Sequence, residues 1–414
     1  MRPAVILRKA PRNAAGKVLP PDLPPFSELA ATCGGGLELL LEEEIRNLGY
    51  SVLRRRPGVV YFRATLLEVP RCITQLRTAS RLLVPVDRST VNAYDGAYHR
   101  ILSIPWETII PPEHTFAITA TTRSPVMKDH RFLAMRTKDA IVDRQRGACA
   151  GRRSSIDRKT PVFRVVVFVD ENKGVEVSLD AGDAPLHERG YRKEAGEAPL
   201  RETVAAAMLL QAGYPVRIGE GRPPVLIDPF CGSGTIAIEA ALMLAGRAAQ
   251  LPDRLFAYRR WPWFPPAGET ESAPDRSDGE AAPPPVRIFA SDRDGEVLDL
   301  ARRNANRAGV GQMIEFSQGD VRERLPALAG RIRPGRPEVL VVTNPPYGER
   351  LDRDDLGALY RDLGTLLKEH MPGGTAHVLC SDRDLMHRTG LRAAGRVPMF
   401  NGGIACRLYR LDLR

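Results

Sequence analysis

The segment from Val341 to Tyr347 could bind a planar base and orient one of its amino groups. An apolar, β-branched run leads to Asn344, which is followed by Pro345, Pro346 and an aromatic ring. Two consecutive prolines end a strand and remove two N–H donors, so the backbone is stiff and presents carbonyl oxygens. The Asn344 side-chain oxygen and the Pro345 carbonyl would accept hydrogen bonds from an exocyclic amine, while Tyr347 would stack on the ring. The predicted catalytic residues are therefore Asn344, Pro345, Pro346 and Tyr347.

A glycine-containing motif upstream has the order of elements that binds a nucleotide-like ligand. Residues 225–227 predict a short buried strand, Asp228 follows it, and helical periodicity begins at Ile236. Between them, Gly232 and Gly234 permit a tight turn and the close approach of a ligand. Strand, glycine turn and helix in this order bind nucleotides at the carboxyl edge of a parallel sheet. The motif lacks the Gly-Lys-Ser/Thr ending of a phosphate loop, and its acidic residue favours a ligand with a cationic amino-acid end.

Two further predicted strands each end near an acidic residue. Asp292 ends the strand that begins at Arg287, where it could contact ribose hydroxyls, and Asp320 follows a third strand, where it could meet an adenine amine. An Asp after a strand is more often a turn or cap residue, so each is weak evidence alone. The ordered series that they form with Asn344 favours a binding site. The predicted cofactor-binding residues are Asp228, Phe230, Gly232, Gly234, Asp292 and Asp320.

Taken together, the motifs resemble those of class I S-adenosylmethionine-dependent methyltransferases that modify exocyclic amines. Asp228–Gly234 is similar to their first motif, Asp292 to the second, Asp320 to the third, and Asn344–Tyr347 to the catalytic fourth. The stretch Leu186–Arg192 resembles THUMP-domain guanine-N2 methyltransferases, most of all the bacterial RlmL type that acts on 23S ribosomal RNA. This resemblance implies an α/β fold: a Rossmann-like class I methyltransferase domain with an N-terminal α+β ferredoxin-like and THUMP RNA-binding region.

The resemblance also implies an activity, a cofactor and a partner. The expected reaction transfers a methyl group from S-adenosyl-L-methionine to the exocyclic N2 amine of a guanine in RNA, with 23S ribosomal RNA as the expected substrate. A transfer-RNA guanine-N2 methyltransferase is the nearest alternative, and a DNA adenine-N6 methyltransferase would use the same Asn-Pro-Pro-Tyr chemistry. An RNA-binding assembly factor with an idle catalytic domain is a third alternative. The intact Asp228, Gly232, Gly234, Asp292 and Asn344 argue against it, because an idle site need not keep them.

Composition limits the other classes of function. A length of 414 residues with 43% apolar content predicts two or three domains with sizeable cores. The six cysteines contain no Cys-x-x-Cys pair and the seven histidines no His-x-x-x-His spacing, so neither a metal site nor disulfides are expected. A reducing cytoplasm is the expected location. The sequence contains no run of 18 apolar residues, so no membrane span is expected. The oligomeric state is not predicted.

The net charge of +10 is concentrated in the N-terminal half and indicates a nucleic-acid surface. Between Thr121 and Arg164 the chain carries 12 Lys and Arg residues but only 4 Asp and Glu residues. The periodicity predicts a helix whose apolar side chains pack on a sheet while its basic residues face outward. The predicted inward residues are Phe132, Met135, Ile141 and Val142. The predicted RNA-binding residues are Arg123, Lys128, Arg131, Arg136, Lys138, Arg144 and Arg146.

The chain is predicted to divide into four regions. A disordered basic tail comprises residues 1–25, a ferredoxin-like α+β unit residues 26–80, and a THUMP RNA-binding domain residues 81–185. The class I methyltransferase domain comprises residues 186–414, and within it the Pro-rich residues 265–285 read as a disordered insertion because they lack apolar periodicity. The alternating pattern at 403–413 predicts an edge strand.

Overall fold

The computed structural model describes residues 28–193, 200–214, 224–251, 254–264, 287–332, 338–347 and 353–413. The predicted basic tail and the predicted disordered insertion at 265–285 lie outside these ranges. Within them the chain forms one eight-stranded sheet in its N-terminal half and one seven-stranded sheet in its C-terminal half. None of the described helices is both long and apolar enough to cross a membrane.

The N-terminal half combines its eight strands with five α-helices among the described residues. The strands are β1 (Leu29–Thr32), β2 (Ser51–Arg56), β3 (Val59–Arg63), β4 (Arg81–Thr90), β5 (Thr115–Thr122), β6 (Ser155–Ile156), β7 (Phe163–Val169) and β8 (Gly174–Asp180). The helices are α1 (Glu38–Asn47), α2 (Val69–Gln75), α3 (Tyr94–Leu102), α4 (Trp106–Ile109) and α5 (His130–Ala148).

Strand β4 joins the predicted ferredoxin-like and THUMP regions into one sheet. The strand order is β2-β3-β1-β4-β8-β7-β5-β6, and β4 pairs antiparallel with β1 on one side and with β8 on the other. The predicted boundary between residues 80 and 81 falls immediately before this shared strand. The two regions therefore share backbone hydrogen bonds, and the boundary itself stays a prediction.

The C-terminal half alternates strands and helices, as a doubly wound sheet requires. Its strands are β9 (Val225–Asp228), β10 (Ile288–Asp292), β11 (Ile314–Gln318), β12 (Val339–Thr343), β13 (Thr375–Cys380), β14 (Ala393–Asn401) and β15 (Ile404–Asp412). Its described helices are α6 (Glu202–Gln211), α7 (Thr235–Leu244), α8 (Gly295–Arg307), α9 (Val321–Ile332), α10 (Arg353–His370) and α11 (Arg383–Arg388).

The order of strands in this sheet is β11-β10-β9-β12-β13-β15-β14. Strands β9 to β13 run parallel, whereas β15 runs antiparallel to both of its neighbours. The direction of chain progression reverses between β9 and β12, and the carboxyl ends of strands at such a point form a ligand-binding crevice. One core lies between the sheet and α6–α8, and the other lies between the sheet and α9–α11.

The predicted edge strand at the C-terminus is not at the edge. Strand β15 forms the alternating stretch, but it lies between β13 and β14, and β14 occupies the edge. Alternation shows that one face of a strand is buried, and it does not show how many strands flank it. Strand β14 carries Pro398, which is compatible with an edge position because proline has no N–H to donate.

Aromatic side chains from the C-terminal half are buried in the N-terminal core. The Trp261 ring stacks on Phe163 of β7 with 5.9 Å between the ring centroids. The Trp263 Nε1–H donates to the Ile109 carbonyl oxygen at 3.0 Å. The short segment after α7 therefore ties the two halves together by packing and by a buried hydrogen bond.

A buried ionic cluster forms a second tie between the halves. Arg189, in the segment between the halves, lies 3.4 Å from the carboxylate of Glu239 on α7, and both side chains are fully buried. The Tyr191 hydroxyl donates to the same carboxylate at 3.2 Å. Arg189 also donates to the carbonyl oxygens of Leu186 and Arg77. Because breaking a buried pair costs about 3–5 kcal/mol, this cluster fixes α7 against the N-terminal half.

Candidate active site

A hydrogen bond between β9 and β12 joins the two predicted motifs. Asp228 ends β9 and is 1% exposed. Its Oδ1 accepts a hydrogen bond from the Thr343 hydroxyl at 2.7 Å and one from the Phe230 amide at 3.3 Å. Its Oδ2 is buried and has no hydrogen-bond partner among the described residues. A buried carboxylate oxygen without a donor is expensive, so this atom is suited to a cationic or N–H donor from a ligand.

The glycine loop after β9 is held by the end of β10. The Gly232 amide donates to Asp292 Oδ2 at 2.9 Å, and φ at Gly232 is +51°. A Cβ added at Gly232 would meet no atom within 4 Å, so this position faces open space. Gly234, with φ +83°, differs, because its Cβ would lie 3.0 Å from Ala301 Cβ on α8. Gly232 therefore leaves room for a ligand, and Gly234 allows α7 and α8 to approach.

The Asn-Pro-Pro-Tyr segment directly follows β12 at the same sheet edge. The Asn344 Oδ1 atom is buried and has no hydrogen-bond partner among the described residues. Pro345 is buried, and the Tyr347 side chain is half-buried. The Cys406 thiol on β15 donates to the Tyr347 hydroxyl at 3.6 Å, and burial followed by this contact raises the pKa of Tyr347. Among the described residues Asn344 thus presents an acceptor oxygen without a donor, and its catalytic role stays a prediction.

Asp292 and Asp320 lie at neighbouring strand ends and already have local hydrogen bonds. Asp292 pairs with Gln318 across β10 and β11, and its Oδ1 accepts from the Asp294 amide at 3.1 Å. Asp320 accepts from the Arg322 amide at 2.9 Å at the start of α9 and forms an ion pair with the Arg322 guanidinium at 3.2 Å. Asp320 therefore acts as a helix cap in this structure. Its contact with an adenine amine remains a prediction.

Burial raises the pKa of Asp228 to about 7, against its ordinary value of 3.8, and the Thr343 hydrogen bond opposes this shift. The nearby Asp292 carboxylate also raises the pKa. The folded protein consequently holds a proton on Asp228 at pH values where the unfolded chain has released it. A cation bound beside Asp228 Oδ2 would stabilise the ionised form and lower this pKa again.

The raised pKa of Asp228 predicts a measurable effect on stability. Between about pH 4 and pH 7 the folded state binds the additional proton, so the free energy of unfolding falls as pH rises, by at most about 1.4 kcal/mol per pH unit. Asp228→Asn removes this dependence and keeps an acceptor for Thr343. Urea unfolding of both proteins at pH 5, 6, 7 and 8 should show Asp228→Asn gaining relative stability up to pH 7, then levelling off. A constant difference would contradict the assignment.

The basic helix α5 is only partly as predicted. Ile141 and Val142 are buried, but Phe132 and Met135 are 38% and 47% exposed, so their predicted burial is wrong. Leu133, one residue after Phe132, takes the inward position instead. Adjacent residues of a helix point about 100° apart, so only one of Phe132 and Leu133 can face the core. The pattern of apolar residues does not show which of the two it is.

Two of the predicted RNA-binding arginines pair with acidic side chains of neighbouring helices. Arg144 forms two hydrogen bonds to the Glu107 carboxylate on α4, at 2.9 and 2.6 Å. Arg136 pairs with Asp95 of α3 at 2.8 Å and lies over the Tyr98 ring. Both side chains are partly exposed, but their guanidinium groups already have acidic partners within the N-terminal half, and their contact with RNA stays a prediction. Lys138 pairs with Asp139 at 2.5 Å and Arg146 lies 3.7 Å from Asp143, while the remaining predicted residues, Arg123, Lys128 and Arg131, are exposed.

Three further residues support the site and carry no individual signal in the sequence. Thr343 donates to Asp228, as described above. The buried Asn304 on α8 donates to the Ser233 carbonyl oxygen at 3.2 Å and so holds the glycine loop. Arg192 donates to the hydroxyl of Thr235 at 2.6 Å, at the first residue of α7. Thr343 adjoins Asn344 and Arg192 lies in the Leu186–Arg192 stretch, so a search of residues next to the motifs could have found both.

All six cysteines are free thiols. In the part of the chain that the structure describes, no three His, Cys, Asp or Glu side chains lie together as metal ligands would.

The strand order, the glycine loop after β9 and the Asn-Pro-Pro-Tyr segment after β12 define a Rossmann-like class I methyltransferase domain. Residues 189–410 match the family described as "RMKL-like, methyltransferase domain". Residues 28–83 match the RlmL ferredoxin-like domain, and residues 95–180 match the THUMP domain. The first match covers more than half of the 414 residues. The chain therefore belongs to the family of RMKL-like methyltransferase domains, which confirms the resemblance to the RlmL type.

Individual relatives agree with this family. The chain is 36% identical over 392 residues to "Ribosomal RNA large subunit methyltransferase K/L" of Ectopseudomonas mendocina (strain ymp), covering 94% of this chain and 53% of the relative. It thus spans about half the length of that protein. A "predicted N6-adenine-specific DNA methylase" from Listeria monocytogenes str. 4b F2365 has a solved structure similar to this one, with TM-score 0.78, 29% identity and coverage of 93% and 95% of the two chains.

A second solved structure is similar over almost the same extent. It is described as "SMU.472, a putative methyltransferase complexed with SAH". Its TM-score is 0.79 at 25% identity, and the match covers 94% of this chain and 98% of that one. Both structural matches include the N-terminal half as well as the methyltransferase domain.

Proposed function

We propose that this protein transfers a methyl group from S-adenosyl-L-methionine to the exocyclic N2 amine of a guanine in RNA, with large-subunit ribosomal RNA as the substrate. The observation that carries the proposal is the buried Asn344 Oδ1, which lies next to Pro345 after β12 and has no hydrogen-bond partner among the described residues. Kinship with ribosomal RNA large subunit methyltransferases supports RNA as the substrate class.

The residues at the sheet edge fit S-adenosyl-L-methionine. Asp228 Oδ2, which has no hydrogen-bond partner in the described part of the chain, is suited to the cationic amino group of its methionine end, and the open space at Gly232 leaves room for the ligand. Asp292, fixed by Gly232 and Asp294, retains acceptor capacity for ribose hydroxyls. When bound, the cofactor supplies an electrophilic methyl group on sulfur. The similar structure complexed with SAH supports this choice of ligand.

Asn344 and Pro345 would orient the amine that receives the methyl group. The lone pair of the guanine N2 amine is delocalised into the ring, so the free amine is a poor nucleophile. Hydrogen bonds from its two N–H groups to Asn344 Oδ1 and the Pro345 carbonyl would direct that lone pair toward the methyl carbon. As the new N–C bond forms and the C–S bond breaks, positive charge grows on N2, and the two oxygens stabilise it. The charged amine then loses a proton to solvent, so no strong base is needed.

Alignment would supply most of the rate enhancement. Holding amine and methyl group in line can lower a barrier by roughly 7–11 kcal/mol. The half-buried ring of Tyr347 would stack on the guanine and limit its rotation. A guanine paired within an RNA helix must first leave the stack, at a cost of a few kcal/mol. We expect the N-terminal half to hold the RNA by its backbone and shape.

The exposed basic residues before and at the start of α5 should contact RNA phosphates. Replacing Arg123, Lys128 and Arg131 together with Gln should weaken RNA binding and flatten its salt dependence, by roughly 0.7–0.9 in slope for each phosphate that is no longer neutralised. Affinity for S-adenosylhomocysteine should not change. Anisotropy titrations with labelled RNA at several salt concentrations measure the binding and its slope. An unaltered slope would show that these side chains form an ordinary solvated face.

Arg144→Gln provides a control for that experiment, because Arg144 is bound to Glu107. The substitution should lower the free energy of unfolding, by no more than about 1 kcal/mol for so exposed a pair. The salt slope of RNA binding should stay close to that of the parent protein. If the slope fell by as much as in the triple variant, the assignment of Arg144 to the fold would be wrong.

A DNA adenine-N6 methyltransferase remains the second candidate, because a similar structure carries that description. The same acceptor pair would bind the N6 amine of adenine. Nucleosides from ribosomal RNA, transfer RNA and DNA of a strain that lacks this gene should separate the possibilities by mass spectrometry. The proposal requires loss of N2-methylguanosine from ribosomal RNA. Loss of N2-methylguanosine from transfer RNA alone would instead support a transfer-RNA methyltransferase. Loss of N6-methyladenine from DNA would support a DNA methyltransferase.

A further inference from the structure

A long groove of about 1000 Å³ lies beside the candidate active site. Its walls are formed by residues from 187–193, from the start of α6, from the end of α8 and from the tip of the β14–β15 hairpin, together with Leu251 and Arg254. None of the catalytic or cofactor residues predicted from the sequence lines it. The groove is therefore separate from the predicted catalytic and cofactor residues, and the charges on its walls indicate which kind of ligand it suits.

The described lining of the groove is strongly cationic. Two glutamates, Glu188 and Glu202, face five Lys and Arg residues, which are Arg192, Lys193, Arg201, Arg254 and Arg307. Glu202 lies 3.4 Å from Arg192 Nε, so part of the negative charge is already compensated. Burial, and then the charges of Arg201, Arg189, Arg192 and Arg254, lower the pKa of His187 in the same wall to about 4. The local potential is therefore positive.

Some of these cations are fixed in place and others are available. Arg254 donates to Gln250 Oε1 and to the Pro185 carbonyl oxygen, which holds its guanidinium in the wall. The Arg192 guanidinium donates to the Leu200 carbonyl oxygen and the Thr235 hydroxyl and lies 3.4 Å from Glu202, so it is held in the wall as well. Lys193 and Arg201 are exposed, and no ion pair of either is found within the described ranges. Fixed cations with exposed ones beside them are suited to a chain of phosphates rather than to one small anion.

The groove meets the active site at the hairpin tip. Ile404 lines the groove at the start of β15, and Cys406, two residues along that strand, donates to the Tyr347 hydroxyl. The Arg201 amide donates to Asn401 Oδ1 at 3.1 Å, which attaches the first turn of α6 to the other side of the tip. A nucleotide next to a base stacked on Tyr347 would therefore have its phosphate at the mouth of the groove.

We infer that this groove receives the sugar–phosphate backbone of the RNA strand on one side of the target base, with Lys193 and Arg201 as phosphate contacts. The inference rests on the proposed function, since it takes the base at Tyr347 to belong to RNA. It assigns the catalytic half its own RNA contacts, separate from those expected near α5. The groove would then fix the 5′-to-3′ direction in which the RNA strand crosses the active site.

The test compares two matched pairs of substitutions in the full chain. Lys193→Gln with Arg201→Gln removes two groove cations, and Arg361→Gln with Lys368→Gln removes one Arg and one Lys from the exposed face of α10, on the opposite side of the sheet. Filter binding of transcribed large-subunit ribosomal RNA across a series of salt concentrations gives the slope for each protein. Titration with S-adenosylhomocysteine gives cofactor affinity, and labelled methyl transfer gives activity.

The groove variant should show a salt slope smaller by roughly 0.7–0.9 for each cation removed, whereas the α10 variant should keep the parent slope. S-adenosylhomocysteine affinity should be the same in all three proteins. An unchanged slope in the groove variant, or equal reductions in both variants, would overturn the inference. So would an effect confined to S-adenosylhomocysteine affinity, because the groove would then hold the carboxylate of the cofactor.

Methyl transfer separates the groove from the proposed function. A parent protein that methylates RNA, combined with unchanged salt slopes, would overturn the groove alone. A parent protein that transfers no methyl to RNA would contradict the proposed function. The salt slopes of the two variants would still decide whether the groove binds the RNA backbone.

Discussion

Asn344→Ala should lower the rate of methyl transfer by about 10²-fold or more and leave binding of S-adenosylhomocysteine and RNA nearly unchanged. The variant removes a buried oxygen that has no donor among the residues that the structure describes, so no hydrogen bond described for the free protein is lost with it. What it removes is a preorganised acceptor for charge that develops only in the transition state. Single-turnover transfer of labelled methyl at saturating RNA measures the chemical step directly.

Asn344→Asp is the matched variant for this prediction. Its carboxylate keeps an acceptor oxygen at the same place, so transfer should fall less than in Asn344→Ala. Circular dichroism and urea unfolding of all three proteins control for folding. Transfer by Asn344→Ala at the parent rate would show that Asn344 is not catalytic, and the Asn-Pro-Pro-Tyr segment would then serve only to end β12.

Gly232→Leu should abolish measurable binding of S-adenosylhomocysteine while the fold persists. A side chain at this position enters the open space beside the loop, where the structure places no other atom within 4 Å of a new Cβ. Part of any effect would come from strain, since φ at Gly232 is +51° and left-handed backbone costs a non-glycine residue roughly 1–2 kcal/mol. A control must carry the same strain elsewhere.

Gly390→Leu supplies that control. Gly390 is exposed after α11, has φ +66°, and its added Cβ would also meet nothing within 4 Å. Both variants should be destabilised to a similar degree, but only Gly232→Leu should fail to bind the ligand in calorimetric titration. Gly234 is a poorer choice, because its substitution displaces Ala301 and α8. Unchanged affinity in Gly232→Leu would remove the glycine loop from the cofactor site.

The catalytic half could be predicted from the sequence because its signals are local. The strands β9, β10 and β12 are mainly apolar and end at or just before a polar residue, whereas β11 is more polar and is followed by Gly319 and Asp320. Parallel strands bring such ends to one edge of the sheet, so the order of motifs along the chain already implied their proximity. The Asp228–Thr343 hydrogen bond confirms that the first and fourth motifs meet.

Contacts between distant parts of the chain could not be predicted in this way. Arg189 and Glu239 are 50 residues apart, and Arg56 and Glu176 are 120 apart. A single sequence contains no pattern that pairs such residues. The same limit applies at α5, where the partners of Arg136 and Arg144 lie on α3 and α4. The sequence of α5 alone does not indicate these partners, so both arginines are predicted to be free to bind RNA.

Strand β2 has a weak strand signal in the sequence for a different reason. It contains three consecutive arginines, Arg54, Arg55 and Arg56, and strands are seldom predicted from charged residues. Each arginine has an acidic partner elsewhere in the N-terminal half: Arg54 pairs with Glu28, Arg55 with Glu42, and Arg56 with Glu176. The strand therefore forms because distant carboxylates compensate its charge at the edge of the sheet.

The identity of the methylated nucleoside tests the central claim most directly. The purified protein should be incubated with transcribed large-subunit ribosomal RNA and S-adenosylmethionine that carries a deuterated methyl group, and the digested nucleosides analysed by mass spectrometry. The proposed function predicts the label in N2-methylguanosine, and predicts that Asn344→Ala removes it. Label in N6-methyladenosine, or label in any nucleoside that persists in Asn344→Ala, would contradict the account.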